Sequence, residues 1–163
     1  MNALLTTSIL PPWYRVPREI ANLLLAAVAT WEDTTRSEHY ILQALQHPET
    51  NLEVLVSAYR YFFYKNNDRM ARRLALQVME HVKQAESLPD DWDKLRTILR
   101  DRRSDPSIRL YLSAYTALGI LVARWGAFQA AIDISTRICS VDLDNEFGAE
   151  LILSILTAED EED

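Results

Sequence analysis

Three histidines, one cysteine and a short run of aspartates are the residues in this chain whose types could do chemistry. His39, His47 and His81 fit neither a His-Glu-x-x-His nor a Glu-x-x-His spacing, the patterns that turn ligands on helices toward one metal ion, so each reads as an ordinary surface or half-buried side chain. Cys139 is the single cysteine; alone it can neither close a disulfide within the chain nor assemble a thiolate metal site. Set among Ile134, Ile138 and Val141 at helical spacing, it reads as a small core hydrophobe. Asp90, Asp91 and Asp93 have the chemistry for acid catalysis or cation binding, yet they fall where a helix begins, and carboxylates are favoured there by the positive end of the helix dipole. Gly119, Gly126 and Gly148 are too few and too scattered to build a phosphate-binding loop. The expectation is a protein that is not an enzyme and uses no cofactor and no metal.

Composition narrows the class further. A length of 163 residues with 48% hydrophobic and 25% charged residues suits one folded domain, and 3 glycines with 6 prolines leave little room for linkers. The formal charge of −7 argues against a nucleic-acid binder, which needs a basic surface to displace counterions from phosphates. Lone-cysteine usage points to the cytoplasm. Residues 1–16 lack the basic flank of a secretory signal and read as an N-terminal extension of the mature protein. The longest apolar runs, 20–31 and 114–125, fall short of the ~20 residues that cross a bilayer, so no membrane span is expected.

The elements that must position any site are helices throughout. Pro17 opens the first, over 17–31, with Ile20, Leu24, Ala27, Val28 and Trp31 at helical spacing. Capping boxes at Thr35-Arg36-Ser37-Glu38 and Thr50-Asn51-Leu52-Glu53 start the second and third. The third is apolar on two sides, as a helix needs to be when it lies between its own partner and a neighbouring hairpin. Asn66-Asn67-Asp68 caps a fourth, and Ser87-Leu88-Pro89 breaks the pattern before a short helical segment from Trp92 to Leu99. Asp105-Pro106 starts a helix over 106–125, Gly126 turns it into another over 127–141, and a last one follows over 147–156 before the acidic tail.

Segment 115–145 resembles one tetratricopeptide repeat. Leu118 and Gly119 stand where the first helix of such a hairpin lets the second approach, Gly126 makes the turn, and Phe128 and Ala131 match the second helix. Tyr115 fits a bulky position one turn earlier, while Leu143, Val122 and Ile138 depart from the family's usual proline, aromatic and small residues. The looser 52–82 segment has the same helix-turn-helix form but lacks the Leu-Gly pair, and its turn reads as longer. The resemblance implies an all-α, TPR-like superhelix of about three hairpins plus a C-terminal capping helix, spanning 17–157, with a linker insertion at about 86–104 and a disordered acidic tail at 158–163.

It also implies protein recognition by an adaptor or assembly chaperone. In that family the first helices line a concave surface, which points to Tyr61, Tyr64, Thr116, Ile120, Ala123 and Arg124 as contacts for a segment of a protein partner; aromatic rings and arginine are frequent anchors. The alternative for Tyr61 and Ile120 is packing between hairpins. A second candidate surface is the basic set Lys94, Arg96, Arg100, Arg102, Arg103 and Arg109, which would receive an acidic partner or the protein's own tail, the alternative being a solvated linker face. Tyr59 to Lys65, Asp105 to Arg109 and Asn145 to Gly148 resemble small accessory proteins found beside bacterial nitrogen-fixation genes. In size and charge the chain is also similar to type III secretion chaperones. An accessory or maturation role in a metalloenzyme system, a metal-carrying helical protein, and a subunit whose groove closes on a second copy as a homodimer stay open as alternatives.

Overall fold

The computed structural model describes residues 16–160, and side chains for 16–158. Most of the N-terminal extension and the end of the acidic tail therefore lie outside the described residues. Those described are all-α, with eight helices and no strand: α1 (Arg18–Ala29), α2 (Thr34–Gln46), α3 (Leu52–Tyr64), α4 (Asp68–Ala85), α5 (Trp92–Asp101), α6 (Pro106–Arg124), α7 (Phe128–Val141) and α8 (Ala149–Asp160). They form two compact units, the first ending at Leu74 and the second beginning at Ala75, so that α4 carries the boundary.

In the first unit α1 and α2 pack as a hairpin and α2 packs on α3. Each of the first two helices buries one stripe at i, i+4, i+7: Ile20, Leu24 and Ala27 on α1, and Ser37, Ile41 and Ala44 on α2. Helix α3 buries Val54, Val56, Ser57, Ala58, Tyr59, Tyr61 and Phe62, so it is enclosed on more than one side. The starts of two helices differ from the expected capping boxes. Asp33, not Thr35, caps α2 by accepting from the Arg36 N–H at 3.2 Å. Asn51 caps α3 by accepting from the Val54 N–H at 3.3 Å, while the hydroxyl of Thr50 is buried without a partner. A carboxylate or amide oxygen next to the first turn wins over the nearby threonine because it is the better acceptor for the orphan N–H groups.

In the second unit α7 is the common partner of α5, α6 and α8. Helix α6 is almost wholly enclosed, burying eleven residues from Ile108 to Val122. With 19 residues and a mean hydropathy of 1.2, it is long and apolar enough by length and composition alone to cross a membrane, as the core helix of a folded protein also can be; 56% of that stretch is buried inside the protein. At Gly119 the helix passes close to α7, since a Cβ placed there would lie 3.1 Å from Cγ2 of Ile134.

Two of the helix pairs share one local design. Helix α6 ends with Gly126 at a φ of +81°, the Gly126 N–H donating to the Ala123 carbonyl and the Ala127 N–H to the Val122 carbonyl, both at 3.0 Å. Helix α3 ends in the same Schellman turn with Asn66 at a φ of +59°, its N–H donating to Phe63 and that of Asn67 to Phe62. Three residues separate the helices in both cases, 65–67 and 125–127, so the α3–α4 turn is no longer than its counterpart. Placing Asn66 on Gly126 aligns the burial of the flanking helices. Val54, Val56, Ser57, Ala58, Tyr59, Tyr61 and Phe62 fall on Ala114, Thr116, Ala117, Leu118, Gly119, Leu121 and Val122, all buried. On the second helices Ala71, Ala75 and Val78 fall on Ala131, Ser135 and Ile138, again all buried. Helix α4 also ends in a Schellman turn, with Ser87 at a φ of +52°.

These positive φ values fix the sign of simple substitutions. Asn66→Gly and Ser87→Gly should each stabilise the protein by about 0.5–1 kcal/mol in urea unfolding, whereas Gly126→Ala should destabilise it by about 1 kcal/mol although nothing stands within 4 Å of the added methyl. Gly119→Val should cost about 1–3 kcal/mol by overpacking against Ile134.

Candidate functional site

The six residues expected to meet a partner do not share one environment. Tyr61 is 1% exposed: its hydroxyl is hydrogen-bonded to Ser37 and its ring lies edge-on to Trp31 at 5.4 Å. The Lys65 ammonium sits 4.1 Å from the centre of the Trp31 ring and donates to the Trp31 carbonyl. This cluster ties the α1–α2 turn to α3, and burial raises the pKa of the Tyr61 phenol. Tyr61 is thus a packing residue rather than a surface contact. Thr116 is buried too, its hydroxyl turned back to the Leu112 carbonyl at 2.8 Å. Ile120 and Ala123 are half-buried, and Tyr64 and Arg124 exposed.

The shared register explains this division and shows which residues were overlooked. On α6 the accessible strip runs Arg109, Leu110, Ser113, Ile120, Ala123 and Arg124, at the spacing of one helix face. Its counterpart on α3 is Glu53, Arg60, Phe63 and Tyr64, which match Ser113, Ile120, Ala123 and Arg124 in both position and exposure class. Arg60 and Phe63 thus take the place assigned to Tyr61, one residue on either side of the buried stripe. Aligning the sequence on Asn66 and Gly126 would have found them.

The repeat-packing residues are placed as follows. Tyr115 and Leu118 are buried, and Tyr115 makes an edge contact with Tyr111 at 6.0 Å; burial, reinforced by Tyr115, pushes the Tyr111 phenol up to about 12. Gly119, Gly126 and Ala131 occupy the close approach, the turn and the buried stripe of α7. Phe128 is 49% exposed, because it begins α7 outside the packed stripe that starts at Ala131.

The basic set does not assemble into one open patch. Arg102 donates from Nε to Asp105 and from Nη2 to Glu86, both at 2.7 Å, and Ser107 donates to the other Glu86 oxygen at 2.8 Å. Asp105 consequently makes no cap to α6 despite its position before Pro106; the charge-assisted bond to Arg102 takes its carboxylate. Arg103 donates to the Arg100 carbonyl at 3.1 Å, and Arg109 pairs with Glu146 while lying 5.4 Å from the Phe147 ring centre. Lys94 and Arg96 are exposed on α5. Arg102 acts as a structural clasp that holds the end of α4 to the start of α6.

The remaining chemical candidates are dispersed. Asp91 caps α5 through the Lys94 N–H at 3.1 Å, and Asp90 accepts from Lys83. His47 contacts Glu19 at 3.1 Å and His39 contacts Gln43 at 3.1 Å, while His81 is exposed. Among the described residues no three His, Cys, Asp or Glu side chains converge on a metal-sized site. Burial first, then the carboxylates of Glu150 and Asp142, raise the Cys139 pKa, which disfavours the reactive thiolate.

No protein-family model matches the chain, and no solved structure matches it. It is a distant homologue of a protein of Azotobacter chroococcum mcd 1 described as an uncharacterized 19.8 kDa protein in the nifW 5′ region. The two are 29% identical over 141 residues, which cover 85% of this chain and 78% of the relative. The likeness to proteins beside nitrogen-fixation genes therefore has a counterpart over most of the sequence.

The clasp has a pH signature. Hydrogen bonds from Arg102 and then Ser107 hold the Glu86 carboxyl below its usual range. A depressed carboxylate pKa contributes stability that is present above the ordinary carboxylate range and is lost as pH falls through the folded value. Urea unfolding should therefore find Glu86→Gln less stable than the parent at pH 7, with the gap closing as the pH is lowered toward 3.

Proposed function

We propose that the chain is a non-enzymatic helical-repeat module of tetratricopeptide type, acting in the cytoplasm as an adaptor or assembly chaperone that holds a segment of a protein partner. The observation that carries this reading is the repeated strip. Helices α3 and α6 each bury most of their residues, and one face is accessible at matching positions in both: Arg60, Phe63 and Tyr64 on the first, and Ile120, Ala123 and Arg124 on the second. In a tetratricopeptide hairpin the first helix contributes such a face to the concave surface. Aromatic, aliphatic and guanidinium groups spaced along it suit an extended or helical peptide, which anchors through a few large side chains.

The relative in the nifW 5′ region supports a more specific setting, in which the partner belongs to nitrogen fixation and the module is an accessory or maturation factor for a metalloenzyme. In that setting the module handles the protein partner, and any metal belongs to the partner.

Affinity capture with the tagged full chain from extracts of the source organism tests the reading. Tyr64→Ala and Ile120→Ala should fold with parental circular dichroism and lose about tenfold or more of the captured partner. Retention of every partner by both folded variants would remove the strip from consideration.

A further inference from the structure

Helix α8 is apolar on both sides, though only one side is packed. Ala149 and Leu156 are buried, and the helix packs on α7. On the opposite side Leu151, Ile155 and Ala158 recur at i, i+4, i+7, with Leu151 64% and Ile155 54% exposed. In the same unit α6, also buried on more than one side, runs directly through a Schellman turn into α7, which packs on it. No described helix plays that part for α8. Large aliphatic side chains gathered in one stripe on an exposed helix face mark an interaction surface more often than isolated ones do.

Charge selects what the covering element is. From Ile138 to Asp163 the sequence holds nine carboxylates and no lysine, arginine or histidine, so this segment alone exceeds the whole chain's net charge of −7. Glu150 flanks the stripe and is exposed. The hydroxyls of Ser154 and Thr157 fold back to the carbonyls of Leu151 and Leu153, both at 2.8 Å, which leaves the stripe's borders with few outward donors. A second copy would bring Glu150 and the same acidic C-terminal sequence against this one, and like charges at close range oppose that pairing. An amphipathic helix with an apolar face and lysine or arginine along its edges meets both the stripe and the surrounding field.

We propose that the exposed face of α8 docks a basic amphipathic helix of a protein partner. The surface is separate from the strip on α3 and α6, and the proposal stands whether or not that strip binds.

The test uses the full chain and a fluorescently labelled synthetic helix of leucine and lysine in amphipathic order, with two comparison peptides: the same residues scrambled to abolish the apolar face, and a leucine–glutamate version. Fluorescence anisotropy should show binding of the ordered basic peptide alone, and Leu151→Ser/Ile155→Ser should weaken it about tenfold or more with circular dichroism and thermal midpoint unchanged. Leu25→Ser, at a comparably exposed leucine on α1, should leave binding at the parental level. The proposal is overturned if the scrambled or acidic peptide binds equally well, if Leu25→Ser weakens binding as much as the double variant, or if the double variant binds like the parent. It is also overturned if sedimentation shows a concentration-dependent dimer that the double variant abolishes, since the occupant would then be a second copy.

Discussion

A helix enclosed on two faces has to leave the packing abruptly, because any further helical residue would carry apolar side chains past their partners. In this chain the constraint is met by a left-handed residue immediately after the helix. After α3 and α6, Asn66 and Gly126 each take a positive φ, and the two N–H groups that follow the C-cap return to the carbonyls of the last turn; the amphipathic α4 ends the same way at Ser87. The reversal fixes where the next helix begins, and with it which side of that helix meets the core. At α6 the same geometry delivers α7 close enough that a Cβ at Gly119 would press on the Ile134 side chain. The burial of Ala131, Ser135 and Ile138 then follows at helical spacing, as does the packing of α5 and α8 on α7.

Where the turn residue was glycine, this design was legible in the sequence; where it was not, the design was hidden. Gly126 announced its turn, and Leu118, Gly119 and Ala131 carried the repeat resemblance around it. Asn66 and Ser87 perform the same conformational task with side chains that are ordinary in loops, so the α3–α4 turn read as longer than it is. The accessible strip was misread for a related reason. Hydrophobic spacing alone could not say which of Arg60, Tyr61, Phe63 and Tyr64 faces outward, because α3 is apolar on two sides; a partner hydroxyl on α2, Ser37, decides that Tyr61 goes in. Caps followed local competition among acceptors: Asp33 and Asn51 displaced Thr35 and Thr50, and Arg102 drew the Asp105 carboxylate away from the helix it precedes.

Charge is divided by role along the chain. The arginines around α5 look in sequence like one basic surface, but Arg102 and Arg109 are engaged with Glu86, Asp105 and Glu146, holding helix ends together within the second unit. The carboxylates after Ile138 are the larger uncompensated feature, since only Glu146 among them meets an arginine in the ion pairs described. Structural charge is thus paired and local, while the acidic residues of the sequence concentrate from Asp142 onward, in the segment that contains α8.

As the proposed recognition module, the chain would make its contacts at the positions its repeated packing leaves open. The most direct measurement is site-specific photo-cross-linking from position 120 of the otherwise unaltered full chain in cells of the source organism, with position 77 on the exposed side of α4 as the comparison. The account predicts a discrete protein adduct from position 120 that is absent from position 77. No adduct from position 120, or the same adduct from both positions, would contradict it.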